Sequence, residues 1–273
     1  MILGVESAVV GIFVGLLAGA LGIGGGILAI PVLVYLLGQD PQAATAESLV
    51  IVIVTSLAAL PSRFASHQVR LATGVLFGLC SSLGAYLGTK INQAVSGDAM
   101  MYAFAALLVA VAILMLRNGL QQKAKEDAAA QQGIDAVHAN DDDGHEQAQT
   151  LRKLPQFIAI GTFTGMLVGF FGIGGGFAMI PILVLVMGYS MRVAAGTSFI
   201  VITVVSVISL LLRIGSPVEI DWLVAVLFAL GSGVGSAVGS PLSNRARQST
   251  LTFVFVFLLV AVAVYTFVVT LVG

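Results

Sequence analysis

Charged residues are scarce in this chain of 273 residues, because Asp, Glu, Lys and Arg together make up only 9% of it. Soluble domains carry about 25% charged residues, whereas 58% of this sequence is hydrophobic. The composition therefore excludes a soluble domain and predicts an integral membrane protein. The formal net charge of −1 gives no basis for nucleic-acid binding. The single cysteine, Cys80, excludes an intrachain disulfide.

Groups that support catalysis or metal binding are equally few. The three histidines, His67, His138 and His145, all fall in loops or in a polar linker, and no zinc-type spacing is present. The G-x-x-x-x-G-K-[ST] motif of nucleotide-hydrolysing proteins is also missing. We therefore predict that the chain is not an enzyme and that it uses no metal and no cofactor.

Long hydrophobic segments fill most of the chain. Most of them have the length at which a helix crosses the core of a bilayer. The first and fifth are longer, and as continuous helices they would exceed a core about 30 Å thick. The eight segments are 5–37, 41–62, 71–92, 99–116, 155–187, 191–212, 217–241 and 250–272.

The two long segments contain an internal duplication. Residues 15–38 and 165–188 share 13 of 24 positions at an offset of 150, including the cluster GIGGG and the proline that follows it. Non-helical backbone is unfavourable in a bilayer, because its N–H and C=O groups find no water to bond. Paired breaks in apolar segments are typical of transporter binding sites. Each long segment is therefore predicted to consist of two short helices joined at GIGGG, with Pro31 and Pro181 near the first turn of the second helix.

The predicted fold is an all-α polytopic membrane protein with two homologous repeats of four segments. Residues 1–117 form the first repeat, 118–153 a polar linker and 154–273 the second repeat. Lys and Arg at both ends of the linker place it in the cytoplasm by the positive-inside rule. Re-entrant hairpins at GIGGG would make the two repeats inverted, and single crossings would make them parallel; the charge bias favours inverted repeats.

The glycine clusters are the predicted ligand site. Backbone N–H groups at a helix start, together with the helix dipole, can hold an oxyanion without a buried cation. The alternative is that these glycines only allow close helix packing. The predicted site consists of Gly22, Ile23, Gly24, Gly25 and Gly26 in the first half and Gly172, Ile173, Gly174, Gly175 and Gly176 in the second.

Polar residues in the second segment of each half are further candidates. Ser48 and Ser198 align at the offset of 150, beside Thr197, and their hydroxyls either contact the anion or bond back to the preceding helical turn. Glu47 either carries a coupling proton, pairs with an arginine or is exposed at the interface.

Several residues are assigned to structure. Arg63 and Arg213, each at a segment end, are predicted to reach the membrane interface as anchors, and recruitment of an anion is the alternative. Paired glycines spaced four apart predict close helix packing, and cap-type residues predict helix starts. The glycine pairs are Gly84/Gly88 and Gly235/Gly239, and the helix starts are Asp40-Pro41, Ser190 and Ser216–Glu219.

The doubled pattern G-x-x-x-G-x-x-G-I-G-G-G followed by I-P, in two four-segment halves joined by a polar linker, resembles the sulfite exporter TauE/SafE family of membrane permeases. The resemblance implies a secondary exporter of sulfite or organosulfonates in the bacterial inner membrane, with its site at the glycine clusters. The implied partners are a small anionic substrate and the lipid bilayer, with a homo-oligomer possible. The alternatives are a permease for another small anion or a carboxylate, and a membrane scaffold that transports nothing.

Overall fold

A computed structural model describes residues 2–131, 154–171, 176–213, 220–242 and 248–272 of the chain. All regular secondary structure in these ranges is helical, and six of the helices are long and apolar enough to cross a membrane. The prediction of an all-α polytopic membrane protein is confirmed. The helices are α1 Ile2–Leu21, α2 Gly26–Pro31, a π-helical turn Val32–Leu36, α3 Pro41–Ala65, α4 Leu71–Ala94, α5 Gly97–Gln131, α6 Leu154–Phe171, α7 Gly176–Leu185, α8 Met191–Arg213, α9 Trp222–Leu242 and α10 Gln248–Val272.

The first long segment is interrupted at its glycine cluster. Helix α1 ends at Leu21 and α2 begins at Gly26, and Gly22, Gly24 and Gly25 between them have φ of 80°, 69° and 82°. Only glycine adopts such angles without strain, which explains why the cluster is made of glycine. The second cluster, residues 172–175, lies outside the described residues.

Pro31 lies deeper in its helix than the sequence predicts. It is the last of the six residues of α2, and the wider π-helical turn starts directly after it. In that turn Leu37 N donates to Val32 O, five residues back, at 3.0 Å. Proline has no N–H to continue the α-helical pattern, so a change of helix type at this position satisfies the backbone better than a regular helix.

The first long segment folds back on itself as a hairpin. Helices α1 and α9 run in parallel, because Gly11 faces Phe228 and Gly19 faces Ser236. Helices α3 and α9 are also parallel, since Thr55 Oγ1 bonds Ser232 Oγ (2.8 Å) and Ser240 Oγ donates to Ala59 O (3.3 Å). Helices α1 and α3 therefore start on the same side of the bundle, here called side 1, and α2 returns to it. The opposite side, where α3 ends, is side 2.

Matching helices of the two halves run in opposite directions. Arg213, the last residue of α8, donates to Thr45 Oγ1 near the start of α3 at 3.0 Å. At the other end Arg70 N, beyond the end of α3, donates to Thr197 Oγ1 near the start of α8 at 3.1 Å. Helix α8 is therefore antiparallel to α3, the direction that inverted halves require.

The halves are interlocked through glycines. A Cβ on Gly84 of α4 would lie 2.7 Å from Met166 N of α6, and a Cβ on Gly235 of α9 would lie 2.7 Å from Leu16 N of α1. Gly88 and Gly239 are packed as closely against the same partner helices. The predicted packing faces are confirmed, and each joins the first helix of one half to the other half.

Two of the three predicted helix starts are confirmed. Asp40 Oδ2 accepts from Gln42 N (2.9 Å) and Ala43 N (3.3 Å), and Ser190 Oγ accepts from Val193 N (3.4 Å). The predicted start at Ser216–Glu219 lies outside the described residues, and the described helix α9 begins at Trp222. Asp221 caps α9, its Oδ1 accepting from Leu223 N at 3.0 Å and Val224 N at 3.2 Å. Its carboxylate stands immediately before the apolar run, where a cap satisfies the first amides.

Helix α5 continues past the predicted boundary at residue 117 and ends at Gln131. The added residues are rich in Ala, Lys, Glu and Gln, which have high helix propensity and need no packed face. The linker is therefore helical in its first part, and residues 132–153 lie outside the described residues. Because Gly97 packs near Pro41 on side 1, α5 carries the linker to side 2.

Candidate functional site

The tip of the first hairpin, residues 22–26, is buried between α3 and α8. All five residues are buried, and Ile23 is completely so. A Cβ on Gly22 would lie 2.5 Å from Ala195 Cα of α8, and one on Gly24 would lie 3.2 Å from Ile202 Cδ1. Gly25 faces Thr55 of α3, with 3.6 Å from its ideal Cβ position to Thr55 Oγ1. The predicted glycines therefore lie at the interface between the matching helices of the two halves.

The amides of the tip fall into two groups. Gly22 N and Ile23 N both donate to Ala18 O, at 2.8 and 3.2 Å, and so complete the end of α1. Gly25 is the N-cap of α2 and has a left-handed conformation. The first amides of a helix have no acceptor within that helix. The amides of Gly25, Gly26 and Ile27 can therefore donate to another acceptor, whereas those of Gly22 and Ile23 already donate to Ala18 O. The positive end of the helix dipole lies at the same place.

The predicted hydroxyl ligands have backbone partners. Ser48 Oγ donates to Thr45 O at 2.9 Å, and Ser198 Oγ donates to Ala195 O at 2.8 Å. Both therefore bond back to the preceding turn, which is the structural alternative stated above. Ser198 Oγ also lies 2.7 Å from Gly22 O and so joins α8 to the tip. Thr197 Oγ1 accepts from Arg70 N on side 2.

Sequence reasoning missed a pair of buried serines. Ser56 and Ser206 are completely buried, and neither hydroxyl has a hydrogen-bond partner within the described residues. Ser56 Oγ would lie 3.3 Å from a Cβ on Gly24, directly beside the tip. The two serines align at the offset of 150, and this match was the signal that could have identified them.

Glu47 is completely buried near side 1. Its Oε1 accepts from Asp221 N at 3.0 Å, and its Oε2 has no hydrogen-bond partner within the described residues. Of the three alternatives for Glu47, exposure at the interface is excluded, because the start of α9 covers the side chain. A buried carboxyl group with one unused oxygen is a candidate for carrying a proton.

Of the two roles considered for Arg63 and Arg213, the interface anchor is wrong, and recruitment of an anion stays open. Arg63 is 0% exposed and Arg213 is 5% exposed. Each donates through Nη2 to the last turn of the first helix of its own half, Arg63 to Gly19 O at 2.8 Å and Arg213 to Gly169 O at 3.1 Å. The carbonyls at the end of a helix carry partial negative charge and need donors, so the guanidinium turns inward.

The site of the second half is described only in part. Gly172, Ile173, Gly174 and Gly175 lie outside the described residues, and Gly176 is the first residue of α7. Ser206 and Arg213 of α8 occupy the positions that correspond to Ser56 and Arg63 of α3.

Comparison with known proteins gives a consistent result. The family model described as "Sulfite exporter TauE/SafE" matches residues 7–266. A probable membrane transporter protein of Xylella fastidiosa strain 9a5c is 32% identical over 85% of this chain and 82% of its own length. The probable membrane transporter protein YunE of Bacillus subtilis is 27% identical over 89% of each chain, and a probable membrane transporter protein of Methanocaldococcus jannaschii is 28% identical over 73% of this chain and 68% of its own. No solved structure gives a significant match.

Proposed function

Because the chain belongs to the sulfite exporter TauE/SafE family and is a multi-pass transporter of the bacterial inner membrane, we propose that it is a secondary transporter that exports small sulfur-containing oxyanions. Sulfite and organosulfonates are the proposed substrates. One observation supports this choice above the others: a glycine tip with open helix-start amides is buried between the matching helices of two halves. A carboxylate at the tip would favour a cation, and the tip residues have none.

Backbone amides are the proposed anion ligands. Gly25 and Gly26 supply N–H groups at the start of α2, and the hydroxyl of Ser56, which has no partner among the described residues, lies beside Gly24. Small tetrahedral or pyramidal oxyanions accept several hydrogen bonds at short range, and the α2 dipole adds attraction. The second cluster, Gly172–Gly176, is proposed to supply the same groups from the other half.

Glu47 is the proposed coupling residue. Its Oε2 is buried without a partner within the described residues and its Oε1 accepts from Asp221 N, so gain or loss of a proton changes the charge at this contact on side 1. A buried carboxyl group of this kind can carry the proton that is coupled to anion export. The linker is proposed to lie in the cytoplasm, which makes side 2 the cytoplasmic side.

The test is flux in proteoliposomes. Purified protein is reconstituted, loaded in turn with sulfite, methanesulfonate, acetate and chloride, and efflux is followed with and without a pH gradient. The proposal expects saturable efflux of sulfite or methanesulfonate above that of acetate and chloride. Efflux of acetate alone would identify a carboxylate permease instead. No flux of any anion from monodisperse protein would contradict the proposed function.

A further inference from the structure

Arg63 in the first half and Arg213 in the second are buried, and neither has a carboxylate partner within the described residues. We propose that Arg63 and Arg213 are the residues that recognise the charge of the transported oxyanion, one near each side of the bundle. The inference rests on the proposed function and adds two side-chain ligands to the backbone amides. Buried ionisable groups in membrane segments are rare and mark transport pathways.

Arg63 is held entirely by uncharged partners. It donates to Gly19 O (2.8 Å) and Ala20 O (3.1 Å), to Ser240 Oγ (3.0 Å) and to Gln68 Oε1 (2.8 Å). Its guanidinium carbon also lies 5.9 Å from the centre of the Phe199 ring. The side chain is 0% exposed. Its positive charge is therefore offset by dipoles and a ring, and by no carboxylate within the described residues.

Arg213 repeats the arrangement with fewer bonds. It donates to Gly169 O (3.1 Å) and Thr45 Oγ1 (3.0 Å), and its Nε has no hydrogen-bond partner within the described residues. At 5% exposure this N–H is a buried donor without an acceptor. Buried donors normally have acceptors, and Arg213 Nε has none among the residues that the structure describes, so this N–H can donate to a bound ligand.

An oxyanion is the ligand that these groups fit. A guanidinium presents a planar fork of donors that matches two oxygens of a carboxylate, phosphate or similar group. A buried cation without a counter-ion is unfavourable, and a bound anion removes that penalty. The carbonyls of Gly19 and Gly169 carry only the partial charge of a helix end, so a full negative charge competes effectively with them.

The position of each arginine connects anion binding to movement of a hairpin. Gly19 and Ala20 are the last turn of α1, directly before the glycine tip, and Gly169 holds the same place in α6. While Arg63 binds these carbonyls, it fixes the first arm of the described hairpin to the end of α3, and Arg213 joins the end of α6 to the end of α8. When Arg63 turns to the anion at the tip, it releases that arm. The same donors thus recognise the substrate and hold α1 against α3 and α6 against α8.

The experiment compares charge-neutral and charge-retaining variants of both residues. Arg63→Gln, Arg213→Gln, Arg63→Lys and Arg213→Lys are reconstituted beside Arg117→Gln, which removes an exposed arginine of α5. Sulfite and methanesulfonate efflux gives KM and kcat, and the thermal shift caused by sulfite in detergent gives binding without transport. Loss of a buried charge-assisted hydrogen bond weakens binding on the order of 10- to 100-fold.

The inference expects both Gln variants to raise KM by at least about tenfold and to lose the sulfite-induced thermal shift. The Lys variants keep the positive charge but lose the planar donor pair of the guanidinium, so their KM should lie between those of the Gln variants and the unmodified protein. Arg117→Gln should have the KM of the unmodified protein. Unchanged KM and thermal shift in Arg63→Gln and Arg213→Gln, with flux of the unmodified protein intact, would overturn this inference alone. If the Gln variants do not yield monodisperse protein, the Lys variants decide, and an unaltered KM in both overturns it. Absence of sulfite and methanesulfonate flux in the unmodified protein would contradict the proposed function as well.

Discussion

The contact between α1 and α9 allows a sharp test of how the halves are joined. Gly235→Ala adds a Cβ that would lie 2.7 Å from Leu16 N and closer still to Ile12 O. Both neighbours are backbone atoms of a helix, so they cannot rotate away as a side chain would. The helices must separate by roughly 1 Å along this contact, and overpacking of this kind costs about 1 to 3 kcal/mol or more. The separation also weakens dispersion contacts at the glycines on either side.

Gly233→Ala is the matched control, two residues away on the same helix. Its Cβ would lie 3.1 Å from Val54 Cγ1, a side-chain methyl that can shift by a few tenths of an ångström. Replacing a helical glycine by alanine is otherwise favourable by about 1 kcal/mol. Gly233→Ala should therefore be neutral or stabilising, whereas Gly235→Ala should lose about 2 kcal/mol net.

The assay is thermal unfolding of monodisperse protein in one detergent. A loss of about 2 kcal/mol lowers the Tm by about 4 to 8 °C in a chain of this size. Gly84→Ala, at the corresponding α4–α6 contact, should behave like Gly235→Ala. The reasoning fails if Gly235→Ala unfolds at the same temperature as Gly233→Ala, because the close backbone contact would then not contribute to the free energy of unfolding.

Three further predictions concern function. Gly25→Leu and Gly38→Leu impose the same left-handed strain, with φ of 82° and 67°. Gly25→Leu should lower the Tm more, because Gly25 is buried and a Cβ on Gly38 meets nothing within 4 Å. Only Gly25→Leu should abolish sulfite efflux from monodisperse protein, and equal efflux from the two would contradict the amide site. Glu47→Gln should keep sulfite binding in the thermal-shift assay and remove the dependence of efflux on the pH gradient; efflux that still follows the gradient would exclude Glu47 as the coupling residue. Deleting residues 132–150 should leave efflux unchanged, and a cysteine at position 130 should react with an impermeant reagent only from the cytoplasmic side; labelling from outside would reverse the proposed orientation.

The hairpin could be predicted because its cause is local. A glycine cluster inside an over-long apolar segment, repeated at an offset of 150, has few structural solutions in a bilayer. The same holds for Asp40 and Ser190, whose side chains accept hydrogen bonds from amides only two or three residues ahead. Local geometry also gave the close helix packing of Gly84 and Gly235, although it did not give their partner helices.

The burial of Arg63 and Arg213 could not be predicted because its cause is distant in sequence. At the end of an apolar segment, an arginine that extends to the interface and one that turns inward occur in the same sequence pattern. The inward position depends on the carbonyls of Gly19 and Gly169, each 44 residues away. Alignment of the two arginines at the offset of 150 was visible, but it does not show which way the side chains turn.

The two halves make the same backbone contact at their ends with different side chains. Asp221 N donates to Glu47 Oε1 on side 1, and Arg70 N donates to Thr197 Oγ1 on side 2. Side 1 therefore has two carboxyl groups where side 2 has a hydroxyl group and an arginine. Inverted halves with identical sequences would give the forms open to side 1 and to side 2 equal energies. A transporter that prefers one direction or couples to a proton needs positions where the halves differ, because a bias requires a difference in free energy between the two forms. The Glu47–Asp221 contact is such a position. It places acidic groups on side 1, whereas the matching Arg70–Thr197 contact on side 2 contains none.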